Sequence, residues 1–252
     1  TRHKEIPRQL IDVNIASDYT KLGKMLDLCK GEERERVIEQ TVSGEGIVSE
    51  ITQKFNPAME FTETDLVSML YYLGYLTIAG EVFEKPELKI PNRVMKEIYS
   101  EYFMQILNKT TELQITQSDY NEILQEIAIE GKIDKIIEML EKYLKNLSNR
   151  DYIKFDEKYV KLIFFCIAMN LKIFRLKSEM EIERKYPDIL LIPKDQSKGY
   201  KGVMIEFKYL KKGEEEKLKE KQEEARKQIE EYGEMEEIKE LKNIEKYTVV
   251  AV

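Results

Sequence analysis

The chain has 252 residues, 41 basic and 48 acidic for a net charge of −7, with one histidine, two cysteines and no tryptophan. A Ser-His-Asp or Cys-His catalytic group would have to use His3, in a polar terminal segment, so that kind of nucleophilic catalysis is set aside. A His/Cys zinc centre lacks ligands, because Cys29 and Cys166 lie 137 positions apart without partner histidines, which leaves carboxylates, lysines, hydroxyls or a metal held by them.

Two cysteines without a framework spacing fit a reducing, cytoplasmic interior. The longest apolar stretch, Leu162 to Met169, is far too short to span a bilayer, so no membrane association is expected. The start, Thr1-Arg2-His3-Lys4, has no apolar signal core and no methionine, which fits a fragment or a processed chain.

In chain order, Asp18 to Gln53 reads as short helices, with Leu22, Met25, Leu26, Val37 and Ile38 at helical spacing. Thr62-Glu63-Thr64-Asp65 opens a helix in the manner of a capping box, and Gly74 ends it. Tyr75 to Ile78 and Glu87 to Ile90 read as two strands around Ala79-Gly80, with Pro86 confined to an edge. Pro91-Asn92 then opens an amphipathic helix through Val94, Ile98, Phe103 and Leu107. Helix, hairpin, helix resembles a winged-helix arrangement; a plain helical connector carrying a hairpin is the other reading. Two more helices, Ser118 to Ile129 and Lys132 to Leu147, lead to a polar break at Asn146 to Asp151. The break sets the expected division into a mainly helical domain, residues 1–148, and a second domain, residues 149–252.

The second part has a different grammar. Phe155 to Leu171 is helical. Ile173 to Leu176 and Met180 to Ile182 are strand-like, Ile189 to Ile192 is a short apolar run, and Lys194 to Gly202 is a loop. Val203 to Leu210 is a strand, Gly213 begins a charged helix reaching Tyr232, and Tyr247 to Val252 is a final strand. This order indicates an α/β fold with a mixed central sheet flanked by helices. An exposed final strand would also offer a route to homo-oligomers.

The informative segment is Tyr186-Pro187-Asp188-Ile189-Leu190-Leu191-Ile192, followed after a loop by Gly202-Val203-Met204-Ile205-Glu206-Phe207-Lys208. Alternation along a strand points Glu206 and Lys208 to one face and Ile205 and Phe207 to the other. Charges in an apolar strand are costly to bury unless they are paired or hold a metal. If the two runs pair as a hairpin, Asp188, Glu206 and Lys208 converge. Glu-x-Lys by itself means little here, since it occurs seven times. Only the Glu206 copy lies in a strand-like apolar run downstream of a Pro-Asp.

At these residues the chain resembles the PD-(D/E)XK nuclease superfamily. Pro187-Asp188 and Glu206-Phe207-Lys208 match its signature in order. Glu157 sits where many such nucleases carry an acid on the first helix. Gln228-Ile229-Glu230-Glu231-Tyr232 is similar to the Gln-hydrophobic-x-x-Tyr motif of its exonuclease branch. The resemblance covers Phe155 to Val252 and implies a restriction-endonuclease-like fold and phosphodiester hydrolysis, with DNA as the expected substrate. It implies Mg²⁺ or Mn²⁺ held by Asp188, Glu206 and the Phe207 carbonyl, with Lys208 positioning the attacking water. Gln228, Tyr232 and Glu157 would support the site. One departure is Arg184-Lys185-Tyr186 where relatives often place Gly-Arg before the aspartate. The helical region, with Leu70-Tyr71-Tyr72-Leu73-Gly74-Tyr75, is similar to bacterial proteins that join such a domain to an AAA-type ATPase-like domain. No Walker A sequence is present, so any ATPase partner would lie outside this sequence.

Each of these residues also has an ordinary reading. Asp188 could start a strand after a turn proline, and Glu206 and Lys208 could form an edge-strand ion pair. Tyr232 could cap the core, and Glu157 could favour the helix dipole. A catalytically inactive fold that binds nucleic acid or a protein partner is the alternative to a nuclease. Charge offers a separate indication: Ile153 to Lys212 holds 14 basic and 8 acidic residues, a net of +6 within an acidic chain. A phosphate-backbone binder needs such a segment.

Overall fold

The computed structural model describes residues 16–29, 32–55, 61–113, 115–147, 156–178, 186–211 and 213–251. His3, the second expected half-strand at Met180 to Ile182, the Arg184-Lys185 pair and the polar break beyond Leu147 lie outside these residues. The chain divides into two compact units, Thr1–Phe103 and Met104–Val252.

In the first unit, α1 (Ala16–Leu26), α2 (Glu32–Ser43) and α3 (Glu63–Tyr72) accompany a small antiparallel sheet. Its strands are β1 (Ile47–Val48), β2 (Thr77–Val82) and β3 (Lys85–Lys89), in the order β1-β3-β2. The capping box at Thr62 and Asp65 forms as the sequence implies, and Gly74 takes a positive φ after the helix. Two expectations are corrected. The hairpin turns at Phe83 and Glu84, both at positive φ, rather than at Ala79-Gly80. This is the backbone signature of a two-residue hairpin loop, adopted here without glycine. Pro86 lies in the middle strand of the sheet, not an edge strand. Pro86 stands where the β1 pairing has just ended at Val48, and its carbonyl still accepts the Ser49 N–H at 3.3 Å.

The division between units falls within α4 (Arg93–Thr111). Next come α5 (Gln117–Gln125), a π-helical turn at Glu126–Glu130 and α6 (Asp134–Leu147). The π turn ends at Gly131, in the left-handed conformation, and is tied to the second sheet. The Lys201 N–H donates to the Ala128 carbonyl at 2.9 Å, and the Tyr247 hydroxyl donates to the Gly131 carbonyl at 2.7 Å. These bonds fasten the helical pair to the start of the strands that build the site.

That sheet contains β4 (Phe174–Lys177), β5 (Ile189–Pro193), β6 (Gly202–Tyr209) and β7 (Ile244–Ala251), in that order. The first two pairings are antiparallel and β6 runs parallel to β7, joined by α8 (Leu218–Gly233) and α9 (Glu236–Lys239). A parallel neighbour requires such a crossover. Strand β5 is buried throughout and β6 is buried from Gly202 to Lys208, which explains why both read as near-continuous apolar runs. The charged helix starts at Leu218, after a 3₁₀ turn at Glu215–Lys217, and the last strand begins at Ile244, three residues earlier than its pattern suggests.

Alternation divides the core. Leu190, Ile192 and Met204 face Ile229 and Ile238 from α8 and α9. On the other face, α7 (Glu157–Met169) sets Phe164 edge-on to Phe207, ring centroids 5.0 Å apart. No helix among the described residues is long and apolar enough to cross a membrane.

Candidate active site

The register of β5 and β6 creates the site. Ile189 lies opposite Ile205 and Leu190 opposite Met204, so continuing the ladder one step brings Asp188 to Glu206. Asp188 stands at the entrance of β5, almost fully buried, and its Oδ2 accepts the Phe207 backbone N–H at 2.8 Å. Glu206 and Lys208 are buried on the same face of β6, and Lys208 Nζ donates to Glu206 Oε1 at 3.0 Å. Glu206 Oε2 is buried with no hydrogen-bond partner among the described residues.

Helix α7 supplies the remaining charges. Asp156 caps it by accepting the Tyr159 N–H at 2.9 Å, which fixes the first turn where Glu157 stands. Glu157 Oε2 accepts the Tyr209 N–H at 3.1 Å, tying the helix start to the end of β6. One turn on, Lys161 Nζ lies 2.8 Å from Glu157 Oε1 and 2.6 Å from Asp188 Oδ1. Three carboxylates and two ammonium groups thus share one end of the sheet.

The sequence alone does not single out Lys161. Its spacing from Glu157 reads as an ordinary surface i,i+4 pair. The available signal was its flanks: Tyr159, Val160, Leu162 and Ile163 are all buried, so the lysine enters an apolar helix.

The electrostatics follow from crowding. Burial, and then the negative charge of Asp188, push the Glu206 carboxyl up to about 7, against the pull of Lys208 and Lys161. For Lys161, burial works to lower the ammonium, but Asp188 and Glu157 outweigh it and hold the group above its ordinary value.

The other expected residues are placed as follows. Gln228 has a buried side-chain carbonyl without a hydrogen-bond partner among the described residues. Tyr232 packs against the apolar cluster around Ile229, Leu190 and Met204. The Phe207 ring belongs to the core while its N–H holds Asp188.

A divalent ion fits the donor set, though only one of a particular kind. Among the described residues no group of three or more His, Cys, Asp or Glu side chains could form a cage. Two hard carboxylates, one with an orphaned buried oxygen, suit an ion that keeps several waters and shares the rest of its shell with a substrate phosphate.

The second unit thus carries an α-β-β-β-α-β core with an aspartate opening one strand and Glu-x-Lys within the next. Residues 155–252 match the family model described as the PD-(D/E)XK nuclease superfamily, and the four-stranded mixed sheet flanked by helices is consistent with a restriction-endonuclease-like fold. No curated protein and no solved structure matches the chain.

Proposed function

We propose that the protein is a Mg²⁺-dependent nuclease hydrolysing phosphodiester bonds of DNA, with Asp188, Glu206 and Lys208 as its working residues. The observation that carries this reading is the buried Glu206 Oε2, unpartnered among the described residues, beside Asp188 and in a strand that also carries Lys208. Apolar packing gives no reason to retain such an oxygen, since an unsatisfied buried polar group is costly.

Asp188, Glu206 and the Phe207 carbonyl would hold Mg²⁺ or Mn²⁺. When bound, such an ion supplies charge stabilisation at the phosphate and a more acidic water. Lys208, fixed by Glu206, is placed to orient the nucleophile and to offset negative charge developing on the phosphate oxygens. Glu157 anchors the helix to β6 and keeps Lys161 in position. Gln228 and Tyr232 belong to α8, where Gln228 would steady the site and Tyr232 the helix beneath it. The basic stretch Ile153 to Lys212 supports a polyanionic substrate. Residues 149–252 form the catalytic domain in this reading, with residues 1–148 as a helical domain through which an AAA-type ATPase partner would engage it in the cytoplasm.

The test is cleavage of end-labelled DNA and RNA in Mg²⁺, Mn²⁺ and EDTA. Cleavage that needs the divalent ion and disappears in folded Glu206→Ala and Lys208→Ala supports the reading, and unchanged cleavage in both variants overturns it. One observation favours a second reading. Each central carboxylate already has an ammonium on one oxygen, Lys161 on Asp188 and Lys208 on Glu206, as a catalytically inactive binding module would. Such a module would retain DNA in a gel shift without binding Mn²⁺ or cutting.

A further inference from the structure

Lys161 has no packing reason to be where it is. It interrupts a helix whose neighbouring side chains are buried, and only 17% of its side chain is exposed. Withdrawing an ammonium from water is costly, so its two carboxylate partners must compensate. The closer of them, at 2.6 Å, is Asp188, which is itself shut away from solvent.

Charge counting sharpens the point. With every group ionised, Glu157, Asp188 and Glu206 against Lys161 and Lys208 leave the centre at −1. Without Lys161 it would be −2, the balance that a divalent ion neutralises. An ammonium on Asp188 Oδ1 and a divalent ion on the same carboxylate oxygen also compete for the same lone pairs. Glu157 differs, because it binds Lys161 through Oε1 while Oε2 holds the Tyr209 N–H, so Lys161 has a second anchor that needs no rearrangement.

We propose that Lys161 is a resident counter-cation of the acidic centre: it holds the place beside Asp188 in the metal-free protein, and divalent-ion binding releases it from Asp188 while Glu157 keeps it. The proposal rests on the reading of Asp188 and Glu206 as the metal carboxylates. It accounts for a fold that can bury Asp188 and Glu206 together, with the partly exposed Glu157 beside them, before any ion arrives. It also makes Lys161 a determinant of metal affinity, with each ion that binds having to displace it.

The experiment is calorimetric titration of Mn²⁺ into the full chain for the wild type, Lys161→Gln and Lys161→Arg. Lys161→Gln is expected to bind Mn²⁺ on the order of tenfold more tightly, the scale of one neighbouring charge. Lys161→Arg, which keeps the charge, should stay near the wild type. In the absence of metal the melting temperature of Lys161→Gln should fall, and Mn²⁺ should raise it further than it raises that of the wild type. A wild-type measurement covers the case in which the glutamine variant does not fold: the ¹⁵Nζ resonance of Lys161 should move as Mg²⁺ saturates the site. Equal or weaker Mn²⁺ binding by folded Lys161→Gln overturns the proposal alone, as does an Nζ signal unmoved at Mg²⁺ saturation. Absence of binding by both the wild type and Lys161→Gln overturns the metal reading and this proposal together.

Discussion

Asp188 Oδ2 accepts the backbone N–H of Phe207 at 2.8 Å, so the aspartate that opens β5 is locked to the strand carrying Glu206 and Lys208. Its other oxygen holds Lys161. One carboxylate therefore aligns two strands and a helix, and stability and site geometry are coupled through it.

Replacing Asp188 should separate these roles. Asp188→Ala strands a buried N–H and removes one of two partners of Lys161, and should destabilise the protein by about 3 kcal/mol in urea denaturation. Asp188→Asn keeps an acceptor for Phe207 and should lose less stability, while losing divalent-ion binding to a similar extent.

Glu206 gives a pH signature in EDTA. Its carboxyl is raised from the ordinary 4.5 to about 7, so between those values the folded protein retains a proton that the unfolded chain has released. Stability from this group is therefore lost as pH rises through that window, and the loss is complete above about 7. Glu206→Gln should remove this slope and make the metal-free protein more stable than the wild type above neutrality, yet abolish cleavage. Denaturation midpoints of both proteins across about pH 5 to 8 check this.

Gly202 opens β6 where the strands crowd. A Cβ there would lie 2.4 Å from the Leu191 carbonyl oxygen and 2.6 Å from Ile244 Cδ1. The carbonyl is backbone in a buried strand and cannot easily move. Gly202→Ala should cost about 2 kcal/mol in the same assay.

The cap of α7 reaches the site indirectly. Asp156→Ala removes the acceptor for the Tyr159 N–H and should cost about 1 kcal/mol. Because Glu157 and Lys161 follow within the next turn and a half, divalent-ion affinity should shift as well, which a Mn²⁺ titration would register.

Much of the second unit was legible because its signals are local. Alternation placed Glu206 and Lys208 on one face, and the apolar runs of β5 and β6 are buried as their composition implies. What stayed hidden depends on tertiary pairing. Ile47 and Val48 form a strand only because β3 lies beside them, and two residues carry no periodicity. Phe83 and Glu84 make a tight turn without the glycine that would mark it. The π turn at Glu126–Glu130 reads as continuous helix, since only its bonds to Lys201 and Tyr247 explain its place in the fold. Lys161 was hidden for a related reason: its i,i+4 partner Glu157 supplied a sufficient local explanation, whereas Asp188, 27 positions on, is reached only through the fold.

The most direct measurement is the single-turnover rate of cleavage of 5′-labelled DNA by the wild type and by folded Lys208→Met, with Mg²⁺ and with EDTA. The expected result is Mg²⁺-dependent cleavage by the wild type and a rate at least on the order of a hundredfold lower in Lys208→Met. Equal rates in the two proteins, or cleavage that persists unchanged in EDTA, would contradict a nuclease centre built on Asp188, Glu206 and Lys208.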